Sequence, residues 1–281
     1  VVGIVCYDMS GELLFQLNAR GQGPGEYTDI NAFAVNASLH QLVIYDNMKQ
    51  SLMFYSTEDG RFVKSEKFNK PTPAEIAYWG GYFFYHNRLH RNYQDDISLH
   101  YYLLASKDGI TIGKRYFKHE NNKEDYPFSP SGHNLYDNNS KLYYCRDFDN
   151  IVYQIHEDSV VPRFRINLPN PLPASMIEER PNEMSLLRSG YSLGITDIYE
   201  YGGLLFFRFV KDGYIWSCLY NVEESKQVYC AKRIKFLDSS LIDTIDGIYK
   251  DCFYSILTPE YLDYAFSENP LEDYPDLFKT Y

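Results

Sequence analysis

Short apolar runs, separated every few residues by turn-forming side chains, recur along almost the whole of this sequence. Between residues 33 and 68 the runs are Phe33–Val35, Gln41–Tyr45, Ser51–Ser56 and Phe62–Phe68. Their connectors are rich in Asn, Asp, Ser and Gly, which favour tight turns. The runs have the length and alternation of β-strands rather than the period of a helix. Four antiparallel strands in a stretch of this length have the size of one β-propeller blade.

The four-run unit is repeated, and six copies account for nearly the whole chain. The turn before the last run of a unit recurs as Asp8-Met-Ser-Gly11, Ser56-Thr-Glu-Asp-Gly60 and Ser106-Lys-Asp-Gly109. Repeats of about 40 to 50 residues are typical of propeller blades, whereas one β-sandwich domain does not use this many strands. The sequence therefore predicts an all-β, six-bladed β-propeller of four-stranded antiparallel blades, a single domain with blades at about 1–20, 33–68, 75–118, 133–168, 195–237 and 246–281.

The first of these blades is incomplete at the N-terminus. It contains only the runs Gly3–Tyr7 and Glu12–Leu17, which correspond to the two outer strands of a blade. The inner strands must come from elsewhere, and we expect Leu277–Tyr281 to close the ring.

The connections at the two ends of the predicted blades differ in length. At one end they are short, as in Asn36–His40 and Gly80-Gly81. Long connections in a compact fold usually carry function, so the opposite end is the predicted working face. Its long connections are Asn18–Ile30, His86–Ile97, His119–His133 and Pro169–Gly194.

Helix signals occur in two connections. In 169–194, Ser175 is a candidate N-cap for a first helix, and Gly190 is a candidate stop for a second. A Thr-Pro-Glu start predicts a further short helix over 258–266, with Pro at the first helical position. We expect these helices to lie over the rim or the channel mouth.

The charge balance excludes one class of partner. Lys and Arg total 27 against 38 Asp and Glu, which gives a net charge of −11. Such a surface repels phosphate backbones and anionic membranes, so we expect no nucleic-acid partner. The longest apolar runs are strand-sized, and no membrane span is predicted, because a span needs about 18 apolar residues.

Two segments carry a resemblance to a known family. Gly21-Gln-Gly-Pro-Gly-Glu-Tyr27, following Gly11-Glu-Leu-Leu-Phe15, resembles the Bacteroidetes-type six-bladed β-propeller family, whose members are NHL- or TolB-like. Asn150-Ile-Val-Tyr-Gln-Ile155 followed by Val161-Pro-Arg-Phe164 resembles outer strands of a blade in that family. The resemblance implies an extracytoplasmic lipoprotein in the periplasm or at the surface of a Gram-negative bacterium, with a lipid anchor upstream and no assigned activity.

Three motifs are similar to ligand sites but have simpler explanations. Gly21–Gly25 is not followed by the helix that a phosphate cradle requires, and we interpret it as a tight turn. His86 and His90 lie on a predicted loop, without the helix and Glu of a zinc hydrolase. Asp147-Phe-Asp149 lacks the Gly and the distal Glu of a calcium loop, so Asx-type turn capping explains it better.

The five cysteines contain no CxxC pair, which excludes a zinc ribbon or a thioredoxin-like motif. If a hairpin turn lies between Tyr220 and Val228, Cys218 and Cys230 are directly opposite each other. We favour two small buried cross-strand residues there and leave a disulfide open.

Polar residues recur where the innermost strand of each predicted blade begins, among them Glu75, His133, Asp197 and Asp246. One explanation is that the walls of the central channel are hydrated and therefore carry polar side chains. The other is a ligand or cation site at the axial channel mouth, since convergent carboxylates bind Ca²⁺ or act as an acid–base pair. The long connections would add side chains able to meet a polar ligand, namely Arg88, Arg91 and Tyr93. We assign no cofactor and leave Ca²⁺ at the channel as the alternative.

No Ser or Cys nucleophile has a convincing His partner in the sequence, and we assign no catalytic residue. The favoured function is a non-catalytic extracytoplasmic binding module that recognises a glycan, peptide or protein partner at the long-connection face. The alternative is a propeller hydrolase or lyase that uses Glu75, His133, Asp197 and Asp246 at the axis. A third is a scaffold whose rim docks another protein.

Overall fold

The computed structural model describes the main part of the chain as twenty β-strands, two short α-helices and one 3-10 turn. These strands form four four-stranded sheets and two two-stranded sheets, in which strands consecutive in the chain are hydrogen-bonded neighbours. The described residues are 3–8, 10–68, 72–87, 100–119, 129–130, 132–138, 140–179, 181–232, 245–257, 260 and 263.

The chain divides into two compact units, of which the first comprises residues 1–127 and 155–160. It contains a two-stranded sheet followed by two four-stranded meanders. The first two sheets are formed by β1 (Ile4–Tyr7), β2 (Leu13–Leu17), β3 (Ala32–Asn36), β4 (Gln41–Asp46), β5 (Ser51–Ser56) and β6 (Phe62–Lys67). The third is formed by β7 (Pro73–Trp79), β8 (Tyr82–Asn87), β9 (Tyr101–Ser106) and β10 (Ile112–Lys118), and the 3-10 turn at Ala37–Leu39 joins β3 to β4.

The second unit comprises residues 128–154 and 161–281. Its first sheet is formed by β11 (Leu135–Asp137), β12 (Leu142–Cys145), β13 (Ile151–Ile155) and β14 (Val160–Arg165). Two helices, α1 (Ala174–Glu178) and α2 (Glu183–Leu187), precede the next sheet. The remaining strands are β15 (Ser192–Tyr201), β16 (Leu204–Lys211), β17 (Tyr214–Asn221), β18 (Lys226–Ala231), β19 (Gly247–Tyr249) and β20 (Cys252–Tyr254).

Within each unit, neighbouring sheets pack face to face. In β4, Leu42 and Ile44 belong to the core shared with β1–β2, whereas Val43 and Tyr45 belong to the core shared with β7–β10. In β16 of the second unit, Leu205 and Phe207 point toward β11–β14. Because side chains alternate between the faces of a strand, a strand buried on both faces is a continuous apolar run, which is the pattern in the sequence.

The predicted strands are confirmed wherever the structure describes them, with ends that differ by a few residues. The chain is all-β, and its sheets follow one another as blade-sized meanders. In the described residues two of the six predicted blades have two strands rather than four. Closure by Leu277–Tyr281 and most of the predicted 258–266 helix lie outside the described residues, and the single six-bladed ring stays a prediction.

The cap predicted for the first helix is wrong. The helix begins at Ala174, and its N-cap is Pro173, which makes no side-chain capping hydrogen bond. The fixed φ of Pro173, −67°, with an extended ψ of 143°, starts the helix ahead of Ser175. The second helix is confirmed, and the Asn182 side chain accepts a hydrogen bond from the Ser185 amide at 2.9 Å.

The cross-strand position of Cys218 and Cys230 is confirmed, and the two residues form a disulfide. The interpretation as two small unbridged residues is therefore wrong. The predicted neighbouring pair differs slightly, because an irregularity between Leu219 and Tyr220 places Gln227 opposite Tyr220. Cys6, Cys145 and Cys252 are free thiols.

Removing the disulfide should lower stability. The bond closes a loop with a sequence separation of 12, and loop-closure entropy predicts a loss of about 2 to 3 kcal/mol in the Cys218→Ala/Cys230→Ala variant. Urea unfolding measures the difference. Cys252→Ala, at an exposed free thiol, is the control and should change stability by less than about 0.5 kcal/mol. Equal stabilities of the two variants would contradict the expectation.

A second expectation concerns Gly194, at the start of β15. Its φ is +100°, and a Cβ atom there would lie 2.7 Å from the Cα of Phe148. Gly194→Ala should therefore combine left-handed strain, about 1 to 2 kcal/mol, with overpacking of about 1 to 3 kcal/mol. Gly213→Ala is the control, because Gly213 has a φ of +71° and open space around the added Cβ, so only the left-handed strain applies there. If chemical denaturation shows that Gly194→Ala lowers the free energy of unfolding no more than Gly213→Ala does, the close approach of the Phe148 backbone does not constrain residue 194.

Candidate functional site

The predicted difference between the two ends of the sheets is present in the structure. At one end the connections are short, as at 80–81 and 202–203. At the opposite ends of the same sheets are 18–31 and 88–100 in the first unit, 119–134 between the units and 166–191 in the second unit, and within each unit this is called the long-connection end. The first and, except for Arg180, the last of these are described, whereas most of the other two lies outside the described residues.

The connection 18–31 of the first unit is a closed turn at Gly21–Tyr27, as predicted. The Gly21 amide donates to the Tyr27 carbonyl at 2.8 Å, and the Gly23 amide donates to Glu26 Oε2 at 2.7 Å. Lys49 Nζ donates to the Glu26 carbonyl at 2.5 Å. These polar groups bind one another, so the loop is a structural turn rather than a phosphate cradle.

The same connection is attached to its sheet by a buried carboxylate, Asp46, at the end of β4. The Thr28 amide donates to Asp46 Oδ2 at 2.6 Å, and the Thr28 hydroxyl donates to Oδ1 at 2.6 Å. Burial by itself would raise the pKa of Asp46, but these bonds and one from the Lys49 amide outweigh it, and the pKa lies below its usual value. In the second unit, Ser129 donates similarly to Asp147 at 2.6 Å.

The motif Asp147-Phe-Asp149 is a capped turn, as expected. Asp149 Oδ1 accepts hydrogen bonds from the amides of Asn150 at 2.8 Å and Ile151 at 3.1 Å. Its Oδ2 accepts from Arg146 Nη2 at 2.6 Å. The carboxylate oxygens that a calcium ion would need are therefore occupied by the protein itself.

The residues predicted for an axial site are divided between the units. Glu75 lies in β7 of the first unit, opposite His86 of β8. His133 belongs to the second unit, where its side chain is exposed and its carbonyl oxygen accepts a hydrogen bond from the Tyr136 hydroxyl. A ring of four side chains at an axis stays a prediction, and three further predicted residues, Arg88, Arg91 and Tyr93, lie outside the described residues.

Asp197 lies in an irregularity of β15, where the register shifts between Thr196 and Tyr199. Its φ is +51°, a left-handed conformation that Asp tolerates better than most residues. The carboxylate accepts from Arg208 Nε at 2.8 Å and pairs with Arg208 Nη2 at 2.8 Å. The irregularity thus redirects the side chain onto the guanidinium of the next strand.

Asp197 and Asp246 share one neighbour, Tyr199. The Tyr199 hydroxyl donates to the Asp246 carbonyl at 3.0 Å, and Asp246 Oδ2 accepts from the Ile256 amide at 2.6 Å. Burial raises the pKa of Tyr199, and the negative charges of Asp197 and Asp246 raise it further. Both predicted residues thus act on Tyr199, and each carboxylate accepts hydrogen bonds from within the protein.

Sequence reasoning missed Glu200, the acceptor of the largest described network of charged groups. Its carboxylate pairs with Lys141 at 2.7 Å and Arg163 at 2.9 Å, and accepts from the Tyr143 hydroxyl. These partners come from strand β12, its preceding turn and β14, so the network joins two neighbouring sheets. The signal in the sequence is a Glu near the end of a strand whose other charged residue is Asp197.

The described residues include no group of three or more His, Cys, Asp or Glu side chains placed to hold a metal ion. No helix in that part of the chain is long and apolar enough to cross a membrane.

Comparison with known proteins identifies relatives at two levels. The family described as Domain of unknown function (DUF4934) matches residues 2–279. No curated protein matches the sequence.

Among solved structures, a Bacteroides fragilis protein whose name describes it as exported is similar, with a TM-score of 0.67 and 17% identity over 82% of this chain and 65% of that one. This chain thus spans less than two thirds of that protein. A member of the DUF4221 family from Bacteroides vulgatus has a TM-score of 0.50 and 11% identity over 82% of this chain and 74% of that one. At these identities the likeness concerns the fold alone.

The Glu200 network should make stability depend on pH. Burial would raise the pKa of Glu200, but the hydrogen bonds from Lys141, Tyr143 and Arg163 lower it below the usual value. The stabilisation is therefore present above the unfolded-state pKa of about 4.3 and is lost as pH falls through the folded-state pKa. Glu200→Gln should cost about 1 to 3 kcal/mol at pH 7 and progressively less below about pH 4.3.

Urea unfolding of both proteins between pH 7 and pH 3 measures this difference. Glu66→Gln is the matched control, because Glu66 pairs with Lys64 at the surface, where the pair contributes less than about 1 kcal/mol. A Glu200→Gln penalty that does not change with pH would contradict the assignment.

Proposed function

We propose that this chain, which belongs to the family described as Domain of unknown function (DUF4934), is an exported, non-catalytic binding module. It acts outside the cytoplasm, in the periplasm or at the cell surface, with a lipid anchor upstream. The disulfide between Cys218 and Cys230 supports this location, because such bonds persist in oxidising compartments. The similar Bacteroides fragilis protein, named as exported, supports it as well.

The architecture that we propose is a six-bladed propeller of NHL- or TolB-like type. Its support is the order of the sheets, each formed by strands consecutive in the chain and packed on the next sheet within its unit. The partner is a glycan, a peptide or a protein that contacts the long-connection end.

The observation that carries the binding role is the structure of the connection 166–191. Its base is fixed to β15, since the Ser192 amide donates to the Asn170 carbonyl at 2.8 Å and the Leu172 amide donates to the Ser192 carbonyl at 3.1 Å. Leu186 of α2 is fully buried and anchors the helical part. On the same helix Met184 is 53% exposed. A long segment held at its base and presenting an apolar side chain is suited to contact a partner.

The state of the carboxylates supports binding rather than catalysis. Asp46, Asp197 and Glu200 each accept hydrogen bonds from partners within the protein. A general acid or base must instead reach the proton that it transfers. The side chains that the connections present are therefore better suited to hold a partner than to react with it.

Binding should depend on the surface of α2. An array of glycans and tiled peptides identifies ligands, and their affinities are then measured for Met184→Glu. A buried charge at a contact should weaken binding at least about tenfold. Leu39→Glu is the control, because Leu39 is 61% exposed and lies on a short connection. An array without ligands, or ligands whose affinity responds to Leu39→Glu rather than Met184→Glu, would overturn the proposal.

A further inference from the structure

A second group of side chains lies at the long-connection end of the sheet β15–β18. The Lys232 ammonium is 3.6 Å from the ring centroid of Tyr214 and 5.7 Å from that of Trp216. Tyr214 follows the turn between β16 and β17, and Lys232 follows β18, so both lie where these strands meet the long connections. Hereafter Tyr214, Trp216 and Lys232 are called the aromatic–lysine patch.

The Cys218–Cys230 disulfide fixes the register of this patch. Cys218 pairs with Cys230, and Ser217 pairs with Ala231. Continuing the antiparallel ladder by one residue places Lys232 opposite Trp216, on the face that carries the disulfide, because alternate residues share a face. The covalent bond therefore fixes the backbone of Lys232 beside the strand that carries the aromatic rings.

The rings differ in their surroundings. Trp216 is half-buried and stacks on Phe209, with ring centroids 6.2 Å apart and planes inclined by 9°. Tyr214 is 54% exposed. Trp216 thus forms a fixed base, and Tyr214 extends a flat apolar surface toward solvent.

Lys232 is a cation without a carboxylate partner among the described residues. Lys141, by contrast, pairs with Glu200 at 2.7 Å. Lys107 and Lys250 also lie over tyrosine rings with no carboxylate partner in the described part of the chain, but both belong to short connections, so Lys232 is distinguished by its place at the long-connection end. Its ammonium is available for an anion.

The patch adjoins the connection 166–191. A methyl group added at Gly190, near the end of that connection, would lie 3.7 Å from Asp212 Oδ1. Asp212 belongs to the turn that leads into Tyr214. The patch therefore lies at the same end of the sheet as the surface proposed to bind a partner.

From these observations we infer that the aromatic–lysine patch binds an acidic sugar of the uronate class within a glycan. The inference rests on the proposed binding function and names the ligand class of that surface. The apolar C–H face of a pyranose ring can stack on the face of the Tyr214 ring opposite the Lys232 ammonium. The exposed Lys232 side chain then swings to the ring edge, where its ammonium pairs with the sugar carboxylate in a charge-assisted hydrogen bond. An acidic peptide supplies the carboxylate but no flat ring of C–H groups to stack on Tyr214.

The test is calorimetric titration of the oxidised full chain with a hexamer of galacturonic acid, a hexamer of galactose and hexaglutamate. We expect the galacturonate hexamer to bind at least ten times more tightly than either of the others. Tyr214→Ala and Lys232→Gln should each weaken galacturonate binding at least tenfold, while thermal unfolding confirms that the fold is retained. Raising the salt concentration should weaken the binding of wild type far more than that of Lys232→Gln.

Lys250→Gln is the matched control. Its ammonium lies 5.1 Å from the Tyr249 ring centroid in the same unit, but on a short connection, so galacturonate affinity should not change. Equal losses in Lys232→Gln and Lys250→Gln, tighter binding of hexaglutamate, or no galacturonate binding would each overturn the inference. If the array described above still identifies other ligands that respond to Met184→Glu, the proposed function stands and only the uronate site is refuted.

Discussion

Both faces of β4, a central strand of the sheet β3–β6, are buried, with Leu42 and Ile44 packed toward β1–β2 and Val43 and Tyr45 packed toward β7–β10. The sheet β15–β18 of the second unit is likewise packed on two neighbours. Burial of a large apolar side chain contributes about 1.5 to 3 kcal/mol, so such strands tolerate few polar residues on either face. Variation that serves function therefore falls on the exposed outermost strands, such as β6, and on the connections at the ends of the sheets.

At those ends the structure uses many of its charged groups to hold itself together. Asp46 attaches one connection to β4, Asp149 closes a turn, and Glu200 joins two sheets. A buried carboxylate must be paired or hydrogen-bonded to be tolerated, and each of these is. Lys232 differs because its neighbours are aromatic rings rather than a carboxylate. For this reason the ligand chemistry is proposed at Lys232 and not at the acidic residues.

Much of the local structure was predictable because it depends on neighbours in the chain. Apolar runs and turn residues located the strands, and the Asp149 turn and the Gly21–Tyr27 loop are closed by nearby groups. The first helix shows where this fails, since Ser175 satisfied the usual capping pattern but Pro173 started the helix earlier. Pro173 and Ser175 are both helix-start signals, and the sequence pattern does not show which of them the helix uses.

The sequence by itself determined the strands, their meander order and the opposition of Cys218 and Cys230, because period-2 alternation and short turns act within a few tens of residues. Only the tertiary structure decided that these cysteines are bonded, that Asp197 turns onto Arg208, and that Glu200 collects Lys141 and Arg163 from another sheet. Each of these contacts joins side chains from different strands across distances set by packing and register. Such distances are properties of the folded chain and leave no periodic signal along the sequence.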